Sequence, residues 1–142
     1  MSVPVQDILH ATSVAVAGRG LLIRGASGSG KSGLALEMMA RGALLIADDR
    51  TIVRRHDGKL ILDVPLALQG MIEARQIGLL HADWVTGVPL AAVLDLDVAE
   101  RHRLPPNRRT CLLGVEVPLL HNSASEYFPA GLVHYLKSGR RE

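Results

Sequence analysis

The octet Gly25-Ala26-Ser27-Gly28-Ser29-Gly30-Lys31-Ser32 completes the spacing G-x-x-x-x-G-K-S, the pattern of a phosphate-binding loop (P-loop). Its glycines let backbone N–H groups converge on phosphate oxygens, and a helix beginning directly after them adds positive potential at its N-terminus. The Lys31 ammonium would neutralise the β- and γ-phosphates of a nucleoside triphosphate, and the Ser32 hydroxyl would ligate Mg²⁺. The flanks agree, with an apolar run from Leu21 to Arg24 before the octet and a helix-forming segment after it. A glycine-rich turn with an exposed lysine is the bland alternative, and that context weighs against it.

Two adjacent acids, Asp48 and Asp49, close the apolar stretch that follows the loop's helix. An acid in this place commonly serves Mg²⁺. Because side chains alternate across a strand, one carboxylate can face a metal while the other reaches an acceptor hydroxyl as general base. By itself the pair also suits a solvated turn; beside the loop, the catalytic reading prevails. The remaining candidates are weaker. Arg75 and Gln76 either bind phosphate or decorate a loop, and Arg108-Arg109 is either a solvated pair or an anion site. Asp95 and Asp97 alternate along a strand and are expected to face solvent. His56, His81, His102, His121 and His134 lack the spacing of a zinc site.

These residues need elements to hold them. Thr12 to Val16 and Leu21 to Arg24 read as strands joined by a glycine-containing hairpin. Lys31 to Arg41 reads as a helix capped near Gly42, and Ala43 to Ala47 as a buried strand. Thr51 to Arg55 and Lys59 to Val64 flank the turn His56-Asp57-Gly58. Ile77 to Leu80, Leu90 to Leu96 and Leu112 to Val117 are further strands, and Ser125 is placed to cap a last helix reaching about Lys137. Trp84, Tyr127, Phe128 and Tyr135 are expected to pack in satellite clusters or an interface. The expectation is a single α/β domain over residues 1–142, with a mixed sheet and hairpins in place of regular strand–helix alternation.

Composition bounds the function. A chain of 142 residues would fold to a surface of about 7,000 Å², against roughly 22,000 Å² unfolded, and so carries an adequate core. Hydrophobic residues at 48% and charged residues at 21% exclude a disordered chain. Aromatic residues at 3% argue against stacking on nucleic-acid bases, and the +2 net charge lacks the clustered Lys and Arg of such a surface. The lone Cys111 excludes an intrachain disulfide and fits a reducing cytoplasm. No apolar run approaches the length needed to span a bilayer, so neither a membrane nor a nucleic acid is an expected partner.

Taken together, His10, the loop from Gly25 to Ser32, Arg41-Gly42 with Leu45-Ile46-Ala47-Asp48-Asp49, and Ile72-Glu73-Ala74-Arg75-Gln76-Ile77-Gly78-Leu79-Leu80 resemble the catalytic domain of HPr kinase/phosphorylase. The resemblance covers about residues 8 to 81 and is similar to the short, single-domain form found in alphaproteobacteria. It implies a P-loop kinase fold like that of phosphoenolpyruvate carboxykinase. It also implies ATP and Mg²⁺ as cofactors, and a serine of an HPr-like phosphocarrier protein as acceptor, with a reverse reaction in which inorganic phosphate attacks the phosphoserine. By the same resemblance, Asp49 is the base, Asp48 supports metal or substrate, and Glu73 is a second Mg²⁺-linked carboxylate. His10 lies near the phosphates, Arg103 is a later catalytic arginine, and the assembly is a homo-oligomer, hexameric in the family. The sequence departs from the pattern at Ala26 and Gly33, where acids are common, and in its short C-terminal region. A small-molecule kinase and a nucleotide-binding regulatory module without turnover are the alternative classes.

Overall fold

Strand β2 (Ala11–Val16) is buried at all six positions, because it lies inside the sheet with neighbours on both edges and packing on both faces. It pairs antiparallel with β3 (Arg19–Arg24) through the expected hairpin, and antiparallel with β4 (Leu44–Ala47) on its other side. The computed structural model describes residues 3–142. The whole sheet has nine strands. Its main path runs β1 (Gln6–Leu9), β5 (Thr51–His56), β6 (Lys59–Asp63), β9 (Val88–Ala99), β3, β2, β4. A hairpin of β10 (Arg108–Leu112) and β11 (Val115–Asn122) branches from β9, with β11 parallel to it. A separate two-stranded hairpin, β7 (Met71–Ala74) and β8 (Gly78–His81), stands outside this sheet. The expected mixed α/β class is observed.

The sheet is curled, and two apolar clusters lie on its opposite faces. Val93 and Leu94 on β9 show how: neighbours along a strand point to opposite sides, and the two belong to different clusters, both fully buried. One cluster joins Val14, Leu21, Ile23, Leu45 and Leu94 to α1 (Lys31–Met39) and α2 (Phe128–Ser138), through Ala35, Met38, Leu132 and Leu136. The other joins Leu22, Ile46 and Val93 to Val53, Leu60 and Leu62 on the curled-over strands β5 and β6.

Several expectations need correction. The stretch Leu112 to Val117 is not one strand: Leu113 and Gly114 take positive φ values of 47° and 78° and turn the chain between β10 and β11. Ser125 does not cap α2. Tyr127 occupies the N-cap without a side-chain bond, and Pro129 enters the first turn, where its missing N–H costs nothing. Tyr127 is 77% exposed and unpacked, whereas Phe128 and Tyr135 pack on the core as expected.

Candidate functional site

Strands β3, β4, β9 and β11 all run the same way. β3 and β11 are each parallel to β9, and β4 is antiparallel to β2, which is antiparallel to β3. Their C-terminal ends therefore share one edge of the sheet, where open α/β sheets place their ligands. At that edge the loop 25–30 leaves β3, and Asp48 and Asp49 leave β4. Gly30 is the N-cap of α1 at φ 100°, a conformation only glycine adopts without strain, and no acidic side chain covers the helix's first turn. A side chain at Gly25 would put its Cβ 2.6 Å from Ser29 Oγ, so the loop closes this tightly only with glycine there. The Lys31 side chain folds back and donates to the carbonyls of Gly25 (2.9 Å) and Ala26 (3.2 Å).

The cleft in front of this loop holds about 500 Å³ and is lined by Ser27, Gly28, Gly30, Lys31, Ser32, Gly33, Leu36, Asp48, Asp49, Glu73 and Arg75. Asp48 is its hub. One carboxylate oxygen accepts from Ser32 Oγ (2.6 Å) and Thr12 Oγ1 (3.1 Å), and the other accepts from the Glu73 backbone N–H (3.0 Å). That last bond ties the β7–β8 hairpin to the strand end. Asp49 sits at φ 65°, in the left-handed region, and its N–H donates to Thr12 Oγ1 at 3.1 Å. Its carboxylate lies 3.3 Å from His10 Nδ1, both side chains remaining exposed.

The structure thus gathers Lys31, Ser32, Asp48, Asp49 and Glu73 around one cleft, with His10 beside Asp49. Arg103 is not brought in: it is exposed on the segment between β9 and β10 and does not line the cleft. Asp97 is exposed, as expected, but it is also engaged. Both of its carboxylate oxygens accept from the Ala26 N–H, at 3.0 and 3.1 Å, anchoring the first turn of the loop. Asp95 in turn accepts from the Asp97 N–H (2.9 Å) and lies 3.5 Å from Arg24 Nε. Thr12 and Asp97 were missed by sequence reasoning; Thr12 offered one signal, a hydroxyl inside an apolar strand, whereas Asp97 offered none locally.

Arg108 also has a structural occupation. It grips Glu100 through Nε (3.2 Å) and Nη2 (2.9 Å), and the Arg101 and His102 N–H groups bind the same carboxylate. The Arg108 hydrogen bond, with those backbone donors, holds the Glu100 pKa down to about 2, although desolvation opposes it.

A mixed open sheet with a glycine-rich loop and acids at the carboxyl ends of its strands defines a class of α/β protein that handles anionic ligands at that edge. Within that class, the chain belongs to the family described as the HPr Serine kinase C-terminal domain, whose match spans residues 2–93. It is 43% identical over 88 residues to an HPr kinase/phosphorylase of Clostridium tetani, covering 62% of this chain and 28% of that protein. It is 45% identical over 87 residues to one from Clostridium botulinum, covering 61% and 28%. The chain thus spans only 28% of the length of these relatives. The solved Hpr(Ser) kinase/phosphatase from Coxiella burnetii has the same fold, with a TM-score of 0.78 at 22% identity, covering 92% of this chain and 94% of that one.

Proposed function

We propose that this protein is an ATP- and Mg²⁺-dependent kinase that phosphorylates a serine hydroxyl of an HPr-like phosphocarrier protein. The observation that carries the reading is the 2.6 Å bond from the loop hydroxyl of Ser32 to Asp48, with Asp49 on the same cleft. It joins the phosphate-gripping and hydroxyl-activating halves of the reaction. In this reading the fold is a P-loop variant of the phosphoenolpyruvate-carboxykinase type, acting in the cytoplasm.

The oxygen donors Ser32, Asp48 and Glu73 suit Mg²⁺, a hard cation that takes one or two carboxylates and completes its shell with phosphate oxygens. Two of these three donors are carboxylates, and no cluster of three or more His, Cys, Asp or Glu side chains able to hold a metal occurs among the described residues. When bound, Mg²⁺ would supply charge neutralisation across the phosphate oxygens. Lys31 would turn from the loop carbonyls to the phosphates, while the loop amides and the N-terminus of α1 hold them in line. Asp49 would accept the serine proton as the hydroxyl oxygen bonds to the γ-phosphorus and the β–γ bridge breaks, with His10 positioned against the same carboxylate. The relatives are named kinase/phosphorylase; in reverse, Asp49 would return that proton while inorganic phosphate takes the phosphoryl group. Arg103 would join only if its loop closed over the cleft. Self-assembly belongs to the same reading, supported by exposed Leu66, Ile77 and Leu79.

Incubation with γ-labelled ATP, Mg²⁺ and a purified HPr-like protein should give labelled phosphoserine, and added inorganic phosphate should then remove it. Transfer to a metabolite with indifference to the protein would instead mark a small-molecule kinase. ATP binding without any transfer would mark a regulatory module.

A further inference from the structure

The strand order across the site is β4, β2, β3, β9, β11, with the glycine-rich loop leaving the middle strand. Asp48 and Asp49, the acids assigned to the transferring end of the triphosphate, lie to the β4 side. A triphosphate held across the loop with its γ end toward them must carry its other end out over β9 and β11. A second cavity opens there, of about 220 Å³, lined among others by Ser29, Gly30, Leu96, Asn122, Glu126 and Phe128. Gly30 lines both this cavity and the phosphate cleft, so a ligand passing over it would occupy both.

We propose that this cavity seats the base and ribose of the nucleoside triphosphate; the inference rests on reading the loop as a triphosphate site. Size agrees, since the volume falls below the ~300–1,000 Å³ of a whole ligand site and suits one end of a molecule. The chemistry agrees too. Phe128 and Leu96 give the apolar surface a base plane needs. Asn122 spends its Nδ2 on the Leu96 carbonyl at 3.2 Å, leaving its amide oxygen as an acceptor, and Glu126 adds a carboxylate. These acceptors match the amino group of a base and the hydroxyls of a ribose. Ser29, which lines this cavity, has a buried Oγ without a hydrogen-bond partner.

The test uses the full wild-type chain and 8-azidoadenosine triphosphate. Ultraviolet labelling that excess ATP suppresses should map to the segment 122–129. Labelling elsewhere, or none above the competed background, overturns the assignment. A second measurement compares ATP with inorganic tripolyphosphate by calorimetry. Ser123→Trp, which fills the cavity and is checked for folding by circular dichroism, should weaken ATP about tenfold or more, the order of a lost base contact. It should leave tripolyphosphate within about twofold. Equal effects on both ligands, or none on ATP, overturn the seat. Lys31→Ala should weaken both ligands; unchanged tripolyphosphate affinity in that variant would instead refute the loop reading beneath it.

Discussion

Asp48 and Asp49 are neighbours with different surroundings, and their variants should separate. Asp48 accepts from Ser32, Thr12 and the Glu73 N–H, so Asp48→Asn turns one acceptor into a donor facing donors. A loss of about 1–3 kcal/mol in stability is expected from denaturant melts, together with weaker ATP binding. Asp49 is exposed and bonded only at its rim. Asp49→Asn should cut phosphoryl transfer by about 10²–10⁴-fold while ATP affinity, measured by calorimetry, holds; equal losses would make it a metal ligand. Glu100 predicts a pH effect. Its folded pKa of about 2 lies below the ordinary 4.5, so its contribution is complete above about pH 4.5 and is lost as pH falls toward 2. The drop in urea midpoint between pH 5 and pH 3 should shrink in Glu100→Gln. At this scale the octet and the twin acids were legible because their geometry is local in sequence. Asp97 was not, because its bond to Ala26 spans 71 positions and depends on strand register.

Among the elements, the loop 25–30 is held at its base by Asp97 from β9 and internally by Lys31. Asp97→Ala should weaken ATP binding several-fold by freeing the Ala26 N–H. Asp97→Asn keeps an acceptor while removing a negative charge near the phosphates, and should bind at least as well as the parent; titration of the pair checks both. Hairpins and the first helix were readable from turn glycines and helix formers. β11 was not, because Leu113 adopts a positive φ that a leucine does not advertise, and the expected strand ran through the turn. β1 was missed as well: three of its four residues are exposed and it is fixed only by pairing with β5.

At the scale of the molecule, β9 is the member that every part shares, pairing with β3, β6 and β11. Leu94, fully buried midway along it, should cost about 2–5 kcal/mol as Leu94→Ala, read as a lower denaturant midpoint. Sedimentation at micromolar concentration should reveal the self-association that the family resemblance implies; a monomer there would remove it from the reading. The mixed sheet was foreseeable from interspersed strands. Its curl was not, because it arises from β9 switching partners along its length.

With Lys31 and Asp97 both bonded to the loop's first turn at Gly25 and Ala26 before any ligand arrives, the conformational freedom of that turn has already been surrendered during folding. An incoming polyphosphate therefore finds a rigid cradle and spends little of its attraction on ordering it. Capture should run at a rate set by encounter and charge, slowing with added salt and nearly indifferent to solvent viscosity only where Lys31 must first let go.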